Sequence, residues 1–117
     1  MPLLLVLTTL PDREIAEGIA RSLIEARLAA CVSILAPCQS VYRWEGRIEA
    51  AAEVPVLIKT TAERYPALER AICDQHPYEL PEILAVAVEK GLPAYLEWVA
   101  AETARPMEGR PAGSRKC

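Results

Sequence analysis

Phenylalanine is absent from this sequence of 117 residues, histidine occurs once, and aromatic residues of all kinds make up only 5%. Since hydrophobic residues still account for 52%, the core has to be built from Leu, Ile, Val and Ala. The length fits one domain, and a domain of this size leaves apolar surface that a partner can cover. We therefore expect a single domain that assembles into a homo-oligomer.

A basic stripe and a long apolar run are missing too. The net charge is −3 and the basic residues are scattered, so we expect no nucleic-acid partner. The apolar run near the start covers only residues 3–7, which is too short for a signal-peptide core or a membrane span. These observations predict a cytoplasmic protein without a membrane segment.

The four cysteines form no C-x-x-C pair and no zinc-finger spacing, so we expect free thiols rather than a disulfide framework. The chain also lacks the G-x-S-x-G elbow and the phosphate-binding glycine loop. A thiol hydrolase would need Cys31 with the single His76, oriented by Glu79. We rank that alternative below a protein that is not an enzyme.

Hydrophobic periodicity predicts six elements of a split βαβ arrangement and one added helix. Asp12 is a candidate N-cap, and Glu45-Gly46 is predicted to form a tight hairpin turn. Pro55 should mark an edge or a bulge, where the return strand is expected to be interrupted. The predicted strands are 3–9, 30–44 with a bend near Pro37, 47–60 and 83–88, and the predicted helices are 12–25, 62–75 and 94–103.

This order predicts an α+β, ferredoxin-like sandwich in which one sheet packs two helices on a single face. Residues 1–104 form the predicted domain, and residues 105–117, poor in apolar side chains, a disordered tail. The second sheet face and the long hairpin, which includes Tyr42 and Trp44, then need a cover. Pairing between subunits would supply it.

The stretch HPYELPE places imidazole, phenol and two carboxylates on a loop stiffened by two prolines. Imidazole and carboxylate suit divalent first-row metals, and affinity rises toward Cu(II), so His76 and Glu79 are candidate ligands. The alternative is that His76 ends the preceding helix by hydrogen-bonding its last carbonyl groups. Residue types alone leave both interpretations open.

Three further positions also allow two interpretations. Cys31 is either a small core residue or a thiol that binds soft Cu(I), in a site shared with His76. Lys59, at a strand end, is either solvated or in contact with an anion. Tyr42, Trp44 and Trp98 either line a small-molecule cleft or anchor a subunit interface.

Five segments, in this order and spacing, resemble the CutA family of divalent-cation tolerance proteins over about residues 3–103: TTLPDREIAEGIARSLIEARLAACV, VYRWEGRIEAAAE, IKTT, HPYELPEI and YLEWV. The resemblance implies a PII-like homotrimer with hairpins paired across subunits, and metal candidates at Cys31, His76 and Glu79. It also implies an inter-subunit cleft carrying Lys59 and nearby aromatic residues, and it implies no enzymatic reaction. Ser33 departs from the family pattern, which more often has Asn there.

The resulting hypothesis is a cytoplasmic homotrimer that binds copper or another divalent cation through His76 and Glu79, with Cys31 as a further donor. No obligatory cofactor is expected. The alternative hypothesis is a PII-like regulatory trimer that binds a small anionic ligand at Lys59 in the cleft.

Overall fold

The computed structural model describes residues 2–105, so residues 106–117 of the predicted tail lie outside it. The chain forms a mixed α+β fold with an antiparallel sheet. No helix within residues 2–105 is long and apolar enough to cross a membrane. The elements are β1 (Leu3–Leu10), α1 (Arg13–Glu25), β2 (Cys31–Ile34), β3 (Cys38–Trp44), β4 (Arg47–Thr61), α2 (Tyr65–Gln75), β5 (Ile83–Val88) and α3 (Pro93–Glu102).

The strands pair in the order β2-β4-β1-β5, and β3 pairs with the first half of the long strand β4. All these pairings are antiparallel. This is the strand order of the predicted ferredoxin-like sandwich, with the β3–β4 hairpin as an extension. The fold class predicted from the sequence is therefore confirmed.

The core lies between one sheet face and the helices α1 and α2. Because side chains alternate along a strand, the even-numbered residues of β1 and β4 face these helices. Asp12 starts α1 as predicted, since its carboxylate accepts a 2.8 Å hydrogen bond from the amide of Ile15. The core residues are Val6, Leu10, Ala16, Ile19, Leu23, Leu28, Ala29, Val54, Val56, Ile58, Leu68 and Ile72.

The opposite sheet face is covered only in part. Helix α3 packs there against β1 and β4, with Val99 fully buried. Leu84 and Val86 of β5 alternate with the core-facing residues of that strand and remain 57% and 59% exposed. Apolar side chains of this sheet face therefore remain in contact with solvent in a single chain.

Pro55 marks a bulge, as predicted, but it does not interrupt β4, because the extra residue of the bulge lies on the neighbouring strand. β2 pairs Ile34 with Val56, whereas β3 pairs Cys38 with Glu53, so the β2–β3 side has one extra residue. The Pro55 carbonyl accepts from the Leu35 amide, so the backbone of Pro55 faces this bulge. The lack of an N–H on Pro55 therefore falls where the regular ladder is already broken. The predicted strand 30–44 is accordingly two strands.

The remaining boundaries differ by a few residues. α2 begins at Tyr65 rather than at residue 62, because β4 continues to Thr61 and a turn from Arg64 to Thr61 follows. The hairpin turn lies where predicted, with positive φ of 51° at Glu45 and 81° at Gly46, as a two-residue turn of the I′ kind requires.

Candidate functional site

The loop that follows α2 is tied to the sheet by the His76 ring. The backbone amide of His76 donates to the Ile72 carbonyl over 2.8 Å, which closes the helix, and the ring is 3% exposed. The Tyr78 amide donates to Nδ1 over 3.1 Å, so Nδ1 is the acceptor and Nε2 carries the proton. Nε2 then donates to the Thr9 carbonyl over 2.8 Å.

Both ring nitrogens of His76 are therefore engaged by the backbone of the chain. A metal ion would bind Nδ1 only after the Tyr78 amide had left it, and Nε2 only after it had released both its proton and the Thr9 carbonyl. The alternative interpretation also agrees with the structure, because the His76 amide bonds the Ile72 carbonyl at the end of α2 while the ring contacts β1 and the loop. In this geometry the ring acts as a link between two segments.

Tyr78 extends the same network to a buried carboxylate. Its hydroxyl donates to Glu53 Oε2 over 2.9 Å, and Glu53 is 8% exposed. Burial, together with the hydrogen bond and the charge of Glu53, raises the pKa of Tyr78 to about 12. Sequence reasoning missed Glu53, although a glutamate directly before the apolar VPVLI run of β4 was an available signal.

Glu79, the second predicted metal ligand, is exposed on the loop and makes no hydrogen bond or ion pair within the described part of the chain. Its carboxylate is open to a ligand from outside. However, residues 2–105 bring no three His, Cys, Asp or Glu side chains together in a group that could hold a metal ion. A single chain thus offers separate donors rather than an assembled site.

Cys31 and Lys59 meet on the sheet face away from the core. They are paired residues of β2 and β4, and the Lys59 ammonium lies 3.7 Å from Cys31 Sγ and 2.7 Å from Ser33 Oγ. Tyr95 of α3 completes the group: burial raises its pKa, and the charge of Cys31 and a hydrogen bond to it add to the effect. All three β residues are half-buried.

The strand register separates Cys31 from His76. Cys31 is level with Lys59 of β4, whereas the Thr9 carbonyl that binds His76 is level with Pro55. Four residues of an antiparallel strand span about 13 Å. The structure therefore places these two predicted ligands at different positions along the sheet.

The predicted cleft residues are also apart within one chain. Trp98 packs with Tyr95 at a ring distance of 5.6 Å on α3. Tyr42 is paired with Glu49 on the hairpin. Glu49 and Lys59 are ten residues apart along β4, a span of roughly 33 Å. Tyr42 and Trp44 can share a cleft with Lys59 only when they come from another copy of the chain.

The remaining described cysteines differ from each other. Cys38 is an exposed free thiol at the start of β3. Cys73 is buried in α2 and disulfide-bonded, so the expectation of free thiols is wrong at that position.

Comparison with known proteins gives a consistent result. The family described as "CutA1 divalent ion tolerance protein" matches residues 4–102. The divalent-cation tolerance protein CutA of Thermus thermophilus is 42% identical over 98 residues, which are 84% of this chain and 95% of that protein. Protein CutA of Mus musculus is 45% identical over 91 residues, 78% of this chain and 51% of the mouse protein, so the chain spans about half the length of that relative.

Solved structures agree with the sequence relatives. CutA from Xylella fastidiosa is 46% identical with a TM-score of 0.85, and the likeness covers 87% of this chain and 98% of that one. CutA1 from Oryza sativa is 36% identical with a TM-score of 0.87, covering 91% and 97%. The chain belongs to the CutA1 family of divalent ion tolerance proteins.

Proposed function

We propose that the chain acts in divalent-metal tolerance as a cytoplasmic homotrimer that binds copper or another divalent cation and catalyses no reaction. The observation that carries this proposal is the match to the divalent ion tolerance family over residues 4–102. The chemistry of the open donors supports it, because carboxylates suit divalent cations and a thiol suits Cu(I).

The proposed donors are Glu79, Cys31 and His76, and they differ in how readily they can bind a metal. Glu79 is exposed and the free thiol of Cys31 is half-exposed. His76 contributes a nitrogen only when the Tyr78 amide or the Thr9 carbonyl is displaced. Metal binding at His76 is therefore coupled to opening of the loop.

A trimer would bring donors of different chains together. The hairpin exposes Val41 by 68% and Ile48 by 72%, and the register places both side chains on one face of it. The outer edges of β3 and β5 have no partner strand within residues 2–105. Exposed apolar side chains and open strand edges favour pairing between copies.

Titration calorimetry with Cu(II) tests the metal proposal. Wild type should bind, and Glu79→Ala and Cys31→Ala should each weaken binding by about tenfold or more, as expected when one ligand of a small site is lost. Glu82→Ala, an exposed glutamate of the same loop, is the matched control and should bind as wild type does. Unchanged affinity in His76→Ala would remove His76 from the site, and unchanged affinity in all three ligand variants would refute the assigned donors.

A second candidate function is a PII-like regulatory trimer that binds a small anion at Lys59. It is favoured by the half-buried Lys59 ammonium, which has no carboxylate partner within residues 2–105. A metabolite at 100 times its dissociation constant should add about 2.7 kcal/mol of stability. The thermal shift should vanish in Lys59→Met and persist in Lys90→Met, which removes an exposed lysine elsewhere; a shift that survives Lys59→Met would count against this function.

A further inference from the structure

A group of four side chains, here called the thiol cluster, combines a nucleophile with groups that can bind an anion. Its members are Cys31, Ser33, Lys59 and Tyr95. The Lys59 ammonium contacts the Ser33 hydroxyl at 2.7 Å and Cys31 Sγ at 3.7 Å. Tyr95 of α3 lies close to the same sulfur. The sulfur therefore lies beside the Lys59 ammonium of β4, with α3 close to it.

The positive charge of the thiol cluster is not neutralised by the described chain. The two ion pairs within residues 2–105 join Arg13 to Glu17 and Arg27 to Glu102, and neither includes Lys59. Lys59 is half-buried beside leucine-rich strands, where an unpaired ammonium is less well solvated than on an open surface. An anionic group that binds here pairs with the Lys59 ammonium and lies next to the free thiol of Cys31.

We propose that Cys31 is a covalent acceptor for small organic anions in which an electrophilic carbon lies close to a carboxylate, such as α,β-unsaturated carboxylates. Lys59 and Ser33 bind the carboxylate, and the Cys31 sulfur attacks the carbon. This site rests on the anion-binding role suggested for Lys59, and it uses the same Cys31 thiol that the metal proposal names as a donor.

The reaction needs no further reactant. The sulfur forms a bond to the β carbon, the carbon–carbon double bond becomes single, and the proton of the thiol passes through solvent to the α carbon. Because Nζ and Sγ are 3.7 Å apart, a carboxylate in hydrogen-bond contact with Nζ can orient so that its β carbon lies about 3 to 3.5 Å from Sγ. Holding the two reactants in this contact is the contribution of the site.

Two alkylating reagents of nearly equal size test the proposal. Iodoacetate is an anion and iodoacetamide is neutral, and both transfer a two-carbon group to sulfur while iodide leaves. Rates are followed by peptide mass spectrometry on the native full-length chain, with the exposed free thiol of Cys38 as an internal reference. The Cys38 side chain makes no hydrogen bond or ion pair within residues 2–105.

The iodoacetate-to-iodoacetamide rate ratio should be about fivefold higher at Cys31 than at Cys38, the effect of one opposite charge at about 4 Å in water. Lys59→Met should bring the two ratios together, whereas Lys59→Arg and the charge-matched Lys90→Met should keep the difference. Equal ratios at both cysteines in the wild type, which requires no variant to fold, would overturn the proposal. A preference that survives Lys59→Met would overturn it as well.

The failure of this inference can be told apart from the failure of the proposals above. Loss of the iodoacetate preference alongside a Lys59-dependent thermal shift with a metabolite would remove the covalent step and leave the anion site. Loss of copper binding in calorimetry bears on the metal proposal alone, because the alkylation is run without metal.

Discussion

The Nε2 proton of His76 is donated over 2.8 Å to the carbonyl oxygen of Thr9, a residue 67 positions earlier in the chain. Thr9 lies one residue beyond the β1–β5 ladder, which ends at Thr8 and Ile83. On the other side Thr9 is level with Pro55, whose carbonyl accepts from the Leu35 amide just after β2. The ring of His76 therefore supplies the donor that a longer β5 would otherwise provide.

Replacing His76 by alanine should destabilise the fold by about 2–3 kcal/mol, because a buried carbonyl and a backbone amide lose their partners together. Urea unfolding of wild type and variant measures the difference. Glu79→Ala, at an exposed residue of the same loop, should stay within about 0.5 kcal/mol of wild type. A similarly small effect of His76→Ala would show that the ring is not a structural link.

Thr8 and Thr60 are both buried, and replacing each by valine is expected to change the stability in opposite directions. The Thr60 hydroxyl donates to the Leu28 carbonyl over 2.7 Å, whereas the Thr8 hydroxyl has no partner within residues 2–105. Thr8→Val should stabilise the protein by about 1 kcal/mol, since it removes an unsatisfied hydroxyl without changing the shape.

Thr60→Val should instead destabilise the protein by about 1–2 kcal/mol, because the Leu28 carbonyl loses its donor. Thermal unfolding of the two variants in one buffer provides the comparison. Shifts of the same sign in both variants would contradict the assignment of their hydroxyl contacts.

Stability should fall as the pH rises from about 10 to about 12. The pKa of Tyr78 and that of Tyr65 are raised from 10.0 to about 12 in the folded chain, by burial first and then by a hydrogen bond and the charge of Glu53 or Glu69. Below pH 10 both states keep the phenol protons, so the full stabilisation is present. Above it the unfolded state loses them first, and stability is lost until the folded groups titrate.

Urea midpoints measured from neutral to alkaline pH check this dependence. Tyr78→Phe should be less stable at neutral pH, because the buried Glu53 loses its donor, and should show a shallower alkaline decline. Tyr65→Phe should also flatten the decline. Curves parallel to wild type in both variants would exclude the tyrosines as its source.

Light scattering after size exclusion should report three times the subunit mass for the wild type. Ile48→Lys should lower the mass, because it places a charge on a hairpin side chain that is 72% exposed in one chain and is expected to be covered in the trimer. Gly18→Lys adds the same charge on α1, where the space around Gly18 is open, and should leave the mass unchanged. A monomeric wild type would refute the trimer, and an unchanged Ile48→Lys would exclude the hairpin from the interface.

Much of the fold could be predicted because its signals are local. The period of four in α1, the Asp12 cap and the Glu45-Gly46 turn each depend on neighbouring residues, and all three lie where the sequence placed them. Pro55 shows the limit of such signals. The bulge expected at Pro55 is present, but its extra residue lies on the β2–β3 side. Only the register between β2, β3 and β4 shows this.

The candidate site could be predicted by residue type but not by arrangement. HPYE identified a loop rich in polar groups, yet the partners of His76 lie on β1 and on the adjacent backbone. Residue types suggest separate roles for Cys31 and Lys59, whereas the pairing of β2 with β4 places them in contact. The sequence does not indicate the role of Glu53, because its hydrogen-bond partner Tyr78 lies on a distant loop.

The sequence by itself thus determined the order and type of the elements, the α+β class and the family, because periodicity, caps and ordered motifs are properties of contiguous residues. The tertiary structure decided that the His76 ring joins β1 to the loop and that Cys31 lies beside Lys59 rather than His76. These contacts depend on the strand register and on the path of the loop. A change of register by one residue moves a side chain by several ångströms, and no local sequence pattern indicates which register is adopted.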